Sequence, residues 1–261
     1  MSGAVAAAYS ATGDAWQRGP GRIYDRIAEV LVARSPTPFD GCEVLDVGAG
    51  TGAASRALRV AGAAAVVAVD AAFAMLAHEA CGRPPAAVGD VLALPFAAMA
   101  FDAAVAAFSL NHLSDPAAGL REMARVTRRG GSLLAASYAT DDAHPVKVAV
   151  EATLAARGWS PEPWYLELRQ SASRLATVES GAAAAAGAGL DARVEVVRVP
   201  FPELEPHDLV AWRLGLAQHA PFVARLAPDE RAAVAADALA RLSDGVPSLV
   251  RSILVVRAIR P

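Results

Sequence analysis

The chain contains, at residues 43–52, the stretch Glu43-Val44-Leu45-Asp46-Val47-Gly48-Ala49-Gly50-Thr51-Gly52. Its apolar half predicts a buried strand, and its glycines predict a tight loop that leads into a helix. A second apolar run, Ala65-Val66-Val67-Ala68-Val69, follows and ends in Asp70. An acidic residue at the end of the second strand suits the diol of a ribose, and glycines let a bulky ligand approach the backbone. The two stretches together predict a site for a ligand that contains a nucleoside.

The spacing of the glycines separates this loop from the common dinucleotide-binding loop. Dinucleotide-binding proteins use G-x-G-x-x-G to place a pyrophosphate at a helix N-terminus. Here the spacing is G-x-G-x-G, and Asp46 lies two residues before the first glycine. A carboxylate in that position would repel a pyrophosphate and attract a cationic group such as an ammonium. We therefore expect a ligand with an adenosine-like part and a positively charged tail, unless Asp46 only caps the following turn.

Apolar runs and helical patterns alternate along the first half of the chain, which predicts a parallel sheet with helices on both faces. One predicted helix, 116–128, has Asp115 as its N-cap and Pro116 as its first residue, and we expect Gly130 and Gly131 to end it. The predicted strands are 43–48, 65–70, 86–88, 102–108 and 131–138, and the other helices are 52–61 and 72–80.

After residue 138 two long insertions interrupt this pattern, at 139–172 and 203–249. Because ligands of open α/β sheets bind at the carboxyl ends of the strands, insertions there would roof the site. The insertions hold Trp159, Trp164 and Trp212, which predict an apolar roof or form only the core of a small cap. The expected units are lid helices at 1–40, a binding core at 41–138, the cap insertion at 139–172, a core helix and strand at 173–202, a second cap insertion at 203–249 and a final core strand within 250–261. Within the core unit at 173–202 we expect a helix at 173–187 and a strand at 193–199, and within the second cap insertion we expect helices at 207–219 and 228–242.

Composition limits the classes of function. The chain has 24 basic and 27 acidic residues and a net charge of −3, which gives no electrostatic footprint for nucleic acid. Alanine accounts for much of the 54% hydrophobic content, and the apolar runs fall short of the roughly 20 residues that span a bilayer. Ala4 to Ala8 lacks a preceding basic flank, so we do not expect a signal peptide. Two cysteines, Cys42 and Cys81, and scattered histidines predict a reduced, cytoplasmic protein without a metal site, and heavy use of Ala, Arg and Pro indicates a bacterial source.

The sequence resembles the class I S-adenosylmethionine-dependent methyltransferases, and among them the quinone and small-molecule subgroup. The resemblance covers residues 41–138 and fades through 139–260, where the choice of methyl acceptor would lie. It implies an α/β fold: a Rossmann-like, doubly wound, seven-stranded and mostly parallel sheet with helices on both faces and a helical cap. It rests on the glycine loop, Val69-Asp70, Gly89-Asp90-Val91-Leu92-Ala93-Leu94-Pro95-Phe96, residues 101–113 and residues 120–126, followed by Arg128-Arg129-Gly130-Gly131 where relatives often carry Arg-Pro-Gly-Gly.

The resemblance implies S-adenosylmethionine as cofactor and a role for particular residues. Asp46 would hold the ammonium group, and Asp70 would accept hydrogen bonds from both ribose hydroxyls. Asp90 would accept a hydrogen bond from the adenine amino group, unless it is an ordinary loop acid. Tyr9 and Trp16 would close over the cofactor, with Tyr24 a third candidate for that lid, although a helix at 22–33 that packs on the sheet explains Tyr24 equally well. The other expected contacts are the loop residues Gly48, Ala49, Gly50, Thr51 and Gly52 around the methionine part, Ala71, Met75 and Val91 near the adenosine, and Phe108 and Ser109 near the methionine part.

Methyl transfer from a sulfonium is a direct displacement, so the protein supplies mainly alignment and desolvation and needs no catalytic motif. A base helps if the acceptor is a hydroxyl or an activated carbon. His112, which follows the fourth strand, is the first candidate for that base, unless it only packs under the cap or bonds a loop carbonyl. The weaker candidates are Tyr138 and His144, and also His207 and His219, for which we expect surface positions.

We therefore expect a methyltransferase that acts on a hydrophobic small molecule, by O- or C-methylation, in a pathway such as natural-product biosynthesis. We expect a monomer or a homodimer without a nucleic-acid or membrane partner. Two alternatives stay open, because a fold does not decide a function. One is an enzyme that binds S-adenosylmethionine but catalyses cyclisation or decarboxylation, and the other is a non-catalytic regulatory subunit that binds the cofactor.

Overall fold

A computed structural model describes residues 7–9, 16, 19–78, 82–242 and 245–261 of the chain. Within these residues seven strands form one sheet in the order β3-β2-β1-β4-β5-β7-β6. Strand β7 runs antiparallel to both of its neighbours, and the other pairs are parallel. This sheet confirms the predicted α/β fold. The strands are β1 Glu43–Val47, β2 Ala65–Asp70, β3 Ala86–Val88, β4 Phe101–Ala107, β5 Thr127–Tyr138, β6 Ala192–Phe201 and β7 Leu249–Ile259.

Helices connect the strands, and many of them begin with a proline. Proline is tolerated there because the N–H that it lacks would make no hydrogen bond within the helix. None of the helices in the described part is long and apolar enough to cross a membrane. The helices are α1 Pro20–Val32, α2 Ala53–Val60, α3 Phe73–Ala77, α4 Pro116–Val126, α5 Pro145–Ala155, α6 Pro163–Ala172, α7 Val178–Gly187, α8 Pro206–Leu214, α9 Ala220–Arg225 and α10 Pro228–Ala240, with 3₁₀ turns at Leu110–His112 and Ser173–Leu175.

The central strands are buried on both faces, which explains their nearly unbroken apolar sequences. In β4, Val105 belongs to the apolar cluster on one face, while Ala104 and Ala106 belong to the cluster on the other. Ile27 of α1 packs into the first cluster, and Met123 of α4 into the second. Successive side chains of a strand point to opposite faces, so each strand needs helices on both sides.

The predicted end of the helix at 116–128 was wrong. Helix α4 ends at Val126, and β5 begins at Thr127, which pairs with Phe101. The exposed side chain of Arg128 donates to Asp102 of β4 at 2.5 Å and to Glu43 of β1 at 3.0 Å. Gly130 and Gly131 therefore lie within a strand. At Gly131 a side chain would collide with the backbone oxygen of Asp102, so close packing between strands, and not a helix stop, requires glycine there.

Other predicted boundaries changed less. The helix predicted at 72–80 ends at Ala77, and Cys81 lies outside the described residues. The segment predicted as one helix at 173–187 is a 3₁₀ turn followed by α7, because Thr177 accepts a hydrogen bond from Ser180 N–H and starts a new helix. The helix predicted at 207–219 ends at Leu214, and α9 was not predicted.

The two late insertions fold together. Helix α5 from the first insertion packs against α8 and α10 from the second, and α8 also contacts α1. Their buried residues, among them Val150 of α5, Leu209 of α8 and Val234 of α10, join the apolar cluster that covers one face of the sheet. The insertions are thereby held beside the carboxyl ends of β1, β4 and β5.

Candidate functional site

A cleft of about 350 Å³ opens at the carboxyl ends of the parallel strands, where open α/β sheets bind ligands. One end is formed by the loops after β1 and β2. The other end is formed by the start of β7 and by side chains from α5, α6 and α8. Strand β7 is three strand spacings from β1, which is about 14 Å. The cleft therefore has room for two distinct groups along its length, and its volume lies in the range of small-molecule sites.

The glycine loop after β1 needs its first glycine for a steric reason. Gly48 has φ +70°, and a side chain there would overlap the Cβ of Ser109. Ser109 is held in place because its hydroxyl donates to the backbone oxygen of Val47 at 2.8 Å. Backbone N–H groups of Gly48 and Ala49 both donate to Val69 O, at 2.7 and 3.0 Å, which ties the loop to β2. The loop is thus drawn back from the cleft and leaves room for a ligand.

Asp46 is buried, with 1% of its surface exposed, and it lines the cleft. One carboxylate oxygen, Oδ2, accepts a hydrogen bond from the hydroxyl of Ser55 at 2.6 Å. The other oxygen, Oδ1, is buried and accepts no hydrogen bond from any described residue. Burial raises the pKa of Asp46 to about 6. A buried carboxylate oxygen without a partner is costly, so this atom fits a cationic donor such as an ammonium group.

Asp70 lies at the end of β2 and is also buried. Its Oδ2 accepts from Gly50 N–H and its Oδ1 from Ala72 N–H, each at 2.8 Å. Burial raises the pKa of this carboxyl above its usual value, and the backbone hydrogen bonds act in the opposite direction. A carboxylate has about four lone-pair sites, so two backbone donors leave it able to accept from two hydroxyls. The side chain is fixed in orientation before any ligand arrives.

The remaining residues predicted for the cofactor divide into two groups. Gly52 and Asp90 do not line the cleft: Gly52 has φ +87° and precedes α2, while Asp90 is exposed and accepts from Leu92 N–H at 3.0 Å. Gly89 and Val91, on either side of Asp90, do line it. The adenine contact of Asp90 therefore stays a prediction. The predicted residues that line the cleft, besides Asp46 and Asp70, are Gly48, Ala49, Gly50, Thr51, Ala71, Met75, Val91, Phe108, Ser109, Tyr9 and Trp16.

Aromatic rings form the middle of the cleft. Phe108, directly after β4, has φ +63°, an uncommon backbone conformation for a residue with a side chain. Its ring centroid lies 4.4 Å from that of Tyr138 and 5.5 Å from that of Tyr24. Trp16 packs on Tyr24 at 4.9 Å and on Tyr9 at 5.5 Å. Of the predicted lid at 1–40, residues 1–6, 10–15 and 17–18 lie outside the described residues.

Among the candidate bases, His112 lies in the cleft. Its Nδ1 is buried without a hydrogen-bond partner among the described residues, and its ring lies edge-on to Tyr9 at 5.5 Å. Burial lowers the pKa of His112 to about 4, so the imidazole is neutral at pH 7 and Nδ1 can accept a proton. Tyr138 also lines the cleft, and burial raises the pKa of its phenol, so it stays protonated at neutral pH.

The other histidines have structural positions. His144 accepts from Val146 N–H at 3.3 Å as the N-cap of α5 and bonds to the backbone oxygen of Pro247. His207 is exposed, as predicted. The surface position predicted for His219 was wrong, because it is fully buried and its Nδ1 lies 2.7 Å from the backbone oxygen of Arg213. The His219 ring packs against the ring of Trp159, whose indole N–H donates to the backbone oxygen of Gln218, the residue before His219.

The predicted apolar roof was incomplete, because the structure places cations there. Arg213 and Arg251 are buried, with 8% and 5% of their surfaces exposed, and both line the cleft. Lys147 and Arg169 line it as well. Sequence reasoning missed all four residues, although Arg251 interrupts the apolar sequence of β7 and offered a signal. The tryptophans of the insertions, Trp159, Trp164 and Trp212, are not among the lining residues and pack inside the cap.

The strand order, with the glycine loop after β1, agrees with the fold of the class I methyltransferases. Residues 45–135 match the family described as "Methyltransferase domain". Residues 45–135 of the chain therefore form a methyltransferase domain of the class I, S-adenosylmethionine-dependent type.

Named relatives agree with this family. The chain is 39% identical over 140 residues, or 54% of its length, to demethylmenaquinone methyltransferase of Mycolicibacterium vanbaalenii. It spans 59% of the length of that relative. Haemonchus contortus phosphoethanolamine N-methyltransferase 2, solved in complex with S-adenosyl-L-methionine, superposes with a TM-score of 0.55 at 18% identity, covering 90% of this chain and 52% of that one. A second solved structure is the complex between the Haloferax volcanii Trm112 methyltransferase activator and a methyltransferase. One chain of that complex superposes with a TM-score of 0.58 at 19% identity, and the match covers 97% of this chain and 96% of that one.

Proposed function

We propose that this protein transfers a methyl group from S-adenosylmethionine to a hydrophobic small molecule, by O- or C-methylation. The observation that carries the proposal is the buried Oδ1 of Asp46, which has no hydrogen-bond partner among the described residues and faces a cleft that also holds Asp70. An ammonium group would satisfy the first acid, and a ribose diol the second. Few metabolites carry both groups, and S-adenosylmethionine is one of them.

The end of the cleft formed by the loops after β1 and β2 is called the cofactor end. Its residues would contact successive parts of S-adenosylmethionine along the cleft. Asp46 would hold the ammonium group, and the loop at 48–51 would run beside the methionine part. Asp70 would accept from the ribose hydroxyls, because its two backbone donors already fix its orientation. Met75 is 3% exposed and lies next to Gly50, where it would pack against the adenosine. Val91 would support the adenine ring.

When bound, the cofactor would supply a methyl group on a sulfonium: an electron pair of the acceptor, from an oxygen or from an activated carbon, forms the new bond to the methyl carbon while the carbon–sulfur pair returns to sulfur. The chain's own residues then have two tasks. Phe108, Tyr24 and Tyr138 form an apolar wall that excludes water and aligns the acceptor, which is worth up to about 7–11 kcal/mol in such reactions. If the acceptor loses a proton, His112 would accept it at Nδ1, which has no hydrogen-bond partner among the described residues.

The relatives support an acceptor that is small and apolar. Demethylmenaquinone methyltransferases, by their name, act on a quinone, and their similarity to this chain covers 54% of it. The aromatic rings in the middle of the cleft suit a flat apolar acceptor. We place the protein in the bacterial cytoplasm, as a monomer or homodimer, in a pathway such as natural-product biosynthesis.

Two measurements test this function. Calorimetric titration with S-adenosylmethionine and S-adenosylhomocysteine should give saturable binding with one site per chain, and binding of NAD instead would overturn the proposal. Incubation with methyl-labelled cofactor and a metabolite extract should then give a labelled product together with S-adenosylhomocysteine. Product formation without S-adenosylhomocysteine would indicate non-methylating chemistry, and binding without any product would favour a regulatory subunit.

A further inference from the structure

The end of the cleft formed by the start of β7 and by α5, α6 and α8 is called the acceptor end. It contains two buried guanidinium groups that lie against the same indole ring. The Cζ of Arg251 lies 4.6 Å from the centre of the Trp212 ring, and that of Arg213 lies 5.4 Å from it. Both arginines line the cleft and both are more than nine-tenths buried. Charged side chains are rarely buried so completely unless they are paired or bind a ligand.

Arg251 is held rigidly but is not fully paired. Its Nε and Nη2 donate to both oxygens of Asp142, at 2.8 and 2.5 Å, and its guanidinium stacks over Tyr138 at 4.0 Å. The third nitrogen, Nη1, is buried and donates to no described residue. Asp142 also accepts from Ser252 N–H, which fixes the pair on the sheet. The guanidinium is therefore preorganised, with one nitrogen left over.

Arg213 is less well paired. Its Nη2 lies 3.4 Å from Glu151 Oε1, longer than the 2.7–2.9 Å of a strong ionic hydrogen bond. Its Nε is buried and has no hydrogen-bond partner among the described residues. Lys147 and Arg169 line the same end of the cleft, and Asp142 is the acidic residue that lines it there. The local charge is therefore positive, in contrast to the end that holds Asp46 and Asp70.

We propose that the methyl acceptor carries an anionic oxygen group, in the simplest case a carboxylate, that binds between Arg213 and Arg251 while its apolar part packs on Tyr24, Phe108 and Tyr138. A carboxylate has two oxygens in one plane and matches the planar guanidinium. It would supply acceptors for Arg251 Nη1 and Arg213 Nε, the two donors that the protein leaves unpaired. This inference rests on the proposed function, since it names the acceptor of the same cleft.

The test uses full-length protein saturated with S-adenosylhomocysteine and a panel of hydroxylated aromatic carboxylates, such as 1-hydroxy-2-naphthoate, each paired with its carboxamide. The two members of a pair have nearly the same shape and differ in charge. We expect calorimetry to show that at least one carboxylate binds ten or more times tighter than its carboxamide. If every pair binds equally, or no carboxylate binds, the proposal is overturned. Binding of S-adenosylhomocysteine in the same samples reports on the proposed function separately.

Two variants locate the anion. Arg213→Gln should remove most of the preference for the carboxylate and leave the affinity for S-adenosylhomocysteine unchanged, and Arg213→Lys should restore part of the preference. Arg174→Gln removes an exposed arginine outside the cleft and should change neither affinity. A full preference in Arg213→Gln would contradict the placement. If that variant does not fold, the comparison of carboxylate and carboxamide in the unmodified protein still decides the proposal.

Discussion

Asp46 and Asp70 stand at one end of the cleft, and Arg213 and Arg251 stand at the other. The two acids of the acidic end are only 24 residues apart in the chain and lie at the ends of two neighbouring strands, β1 and β2. The basic end joins α8 to the start of β7, and its partner acids come from the segment before α5 and from α5 itself. One end is therefore local in sequence, while the other is assembled from segments that are distant in the chain.

The largest effect should come from Asp70→Ala at the acidic end. Removing a carboxylate that accepts from two hydroxyls at about 1.5–3 kcal/mol each should weaken binding of S-adenosylmethionine by at least about 100-fold. Calorimetric titration measures it. Asp141→Ala, which removes an exposed acid outside the cleft, is the matched control and should bind normally. Unchanged affinity in Asp70→Ala would show that the acidic end does not bind the ribose.

The next effect concerns the middle of the cleft. His112→Ala should lower kcat by roughly 100-fold, the lower end of the range for a general base, because the low pKa of this imidazole makes it a weak one. The affinity for S-adenosylhomocysteine should not change. His207→Ala, an exposed histidine, serves as control for the substitution. Full turnover in His112→Ala would remove this residue from the mechanism and assign it a packing role.

A steric test follows at the glycine loop. Gly48→Ala should weaken binding of S-adenosylhomocysteine by roughly 10- to 100-fold, because overpacking against Ser109 costs about 1–3 kcal/mol and displaces the loop. Gly41 is the matched control, since its φ of +72° is almost that of Gly48 and no atom lies near the added methyl group. Gly41→Ala should cost only the backbone strain, about 1–2 kcal/mol of stability, and bind normally. Equal effects of the two substitutions would mean that the contact with Ser109 is unimportant.

The smallest and most distinctive effect is expected for Asp46→Asn. Loss of the charge should weaken cofactor binding about tenfold, yet it should stabilise the protein without ligand. The folded-state pKa of about 6 lies above the usual 3.8, so ionisation lowers stability as pH rises from about 4 to 6, and the full cost, about 3 kcal/mol, applies above that window.

We therefore expect a higher melting temperature for Asp46→Asn at pH 7.5, corresponding to about 1–3 kcal/mol, and no difference below pH 4. Ser55→Ala removes the hydroxyl that donates to this carboxylate and should lower stability instead. A melting temperature at pH 7.5 that falls in Asp46→Asn would mean that the carboxylate is already satisfied without a ligand.

Much of the fold could be read from the sequence because its signals are local. The apolar run 65–70 and its terminal acid appear in the structure with the same bounds. The prediction of the boundary between helix and strand at residues 126–131 was wrong because helix and strand signals overlap there. The helical pattern continues to Thr127, and what favours the strand is pairing with β4, a segment distant in the chain, including the pairing of Thr127 with Phe101.

At the site, the sequence by itself determined the acidic end: the strand, the glycine spacing and Asp46 and Asp70 lie within one short βαβ segment, so their geometry follows from local structure. Only the tertiary structure decided the basic end. Arg213, in an insertion, carries no sign of whether it will face water or be buried, and Arg251 interrupts the apolar sequence of β7 without indicating which side chains it will meet. Arg213 and Arg251 meet at the cleft because α5, α8 and β7 fold together, and no local pattern records that packing.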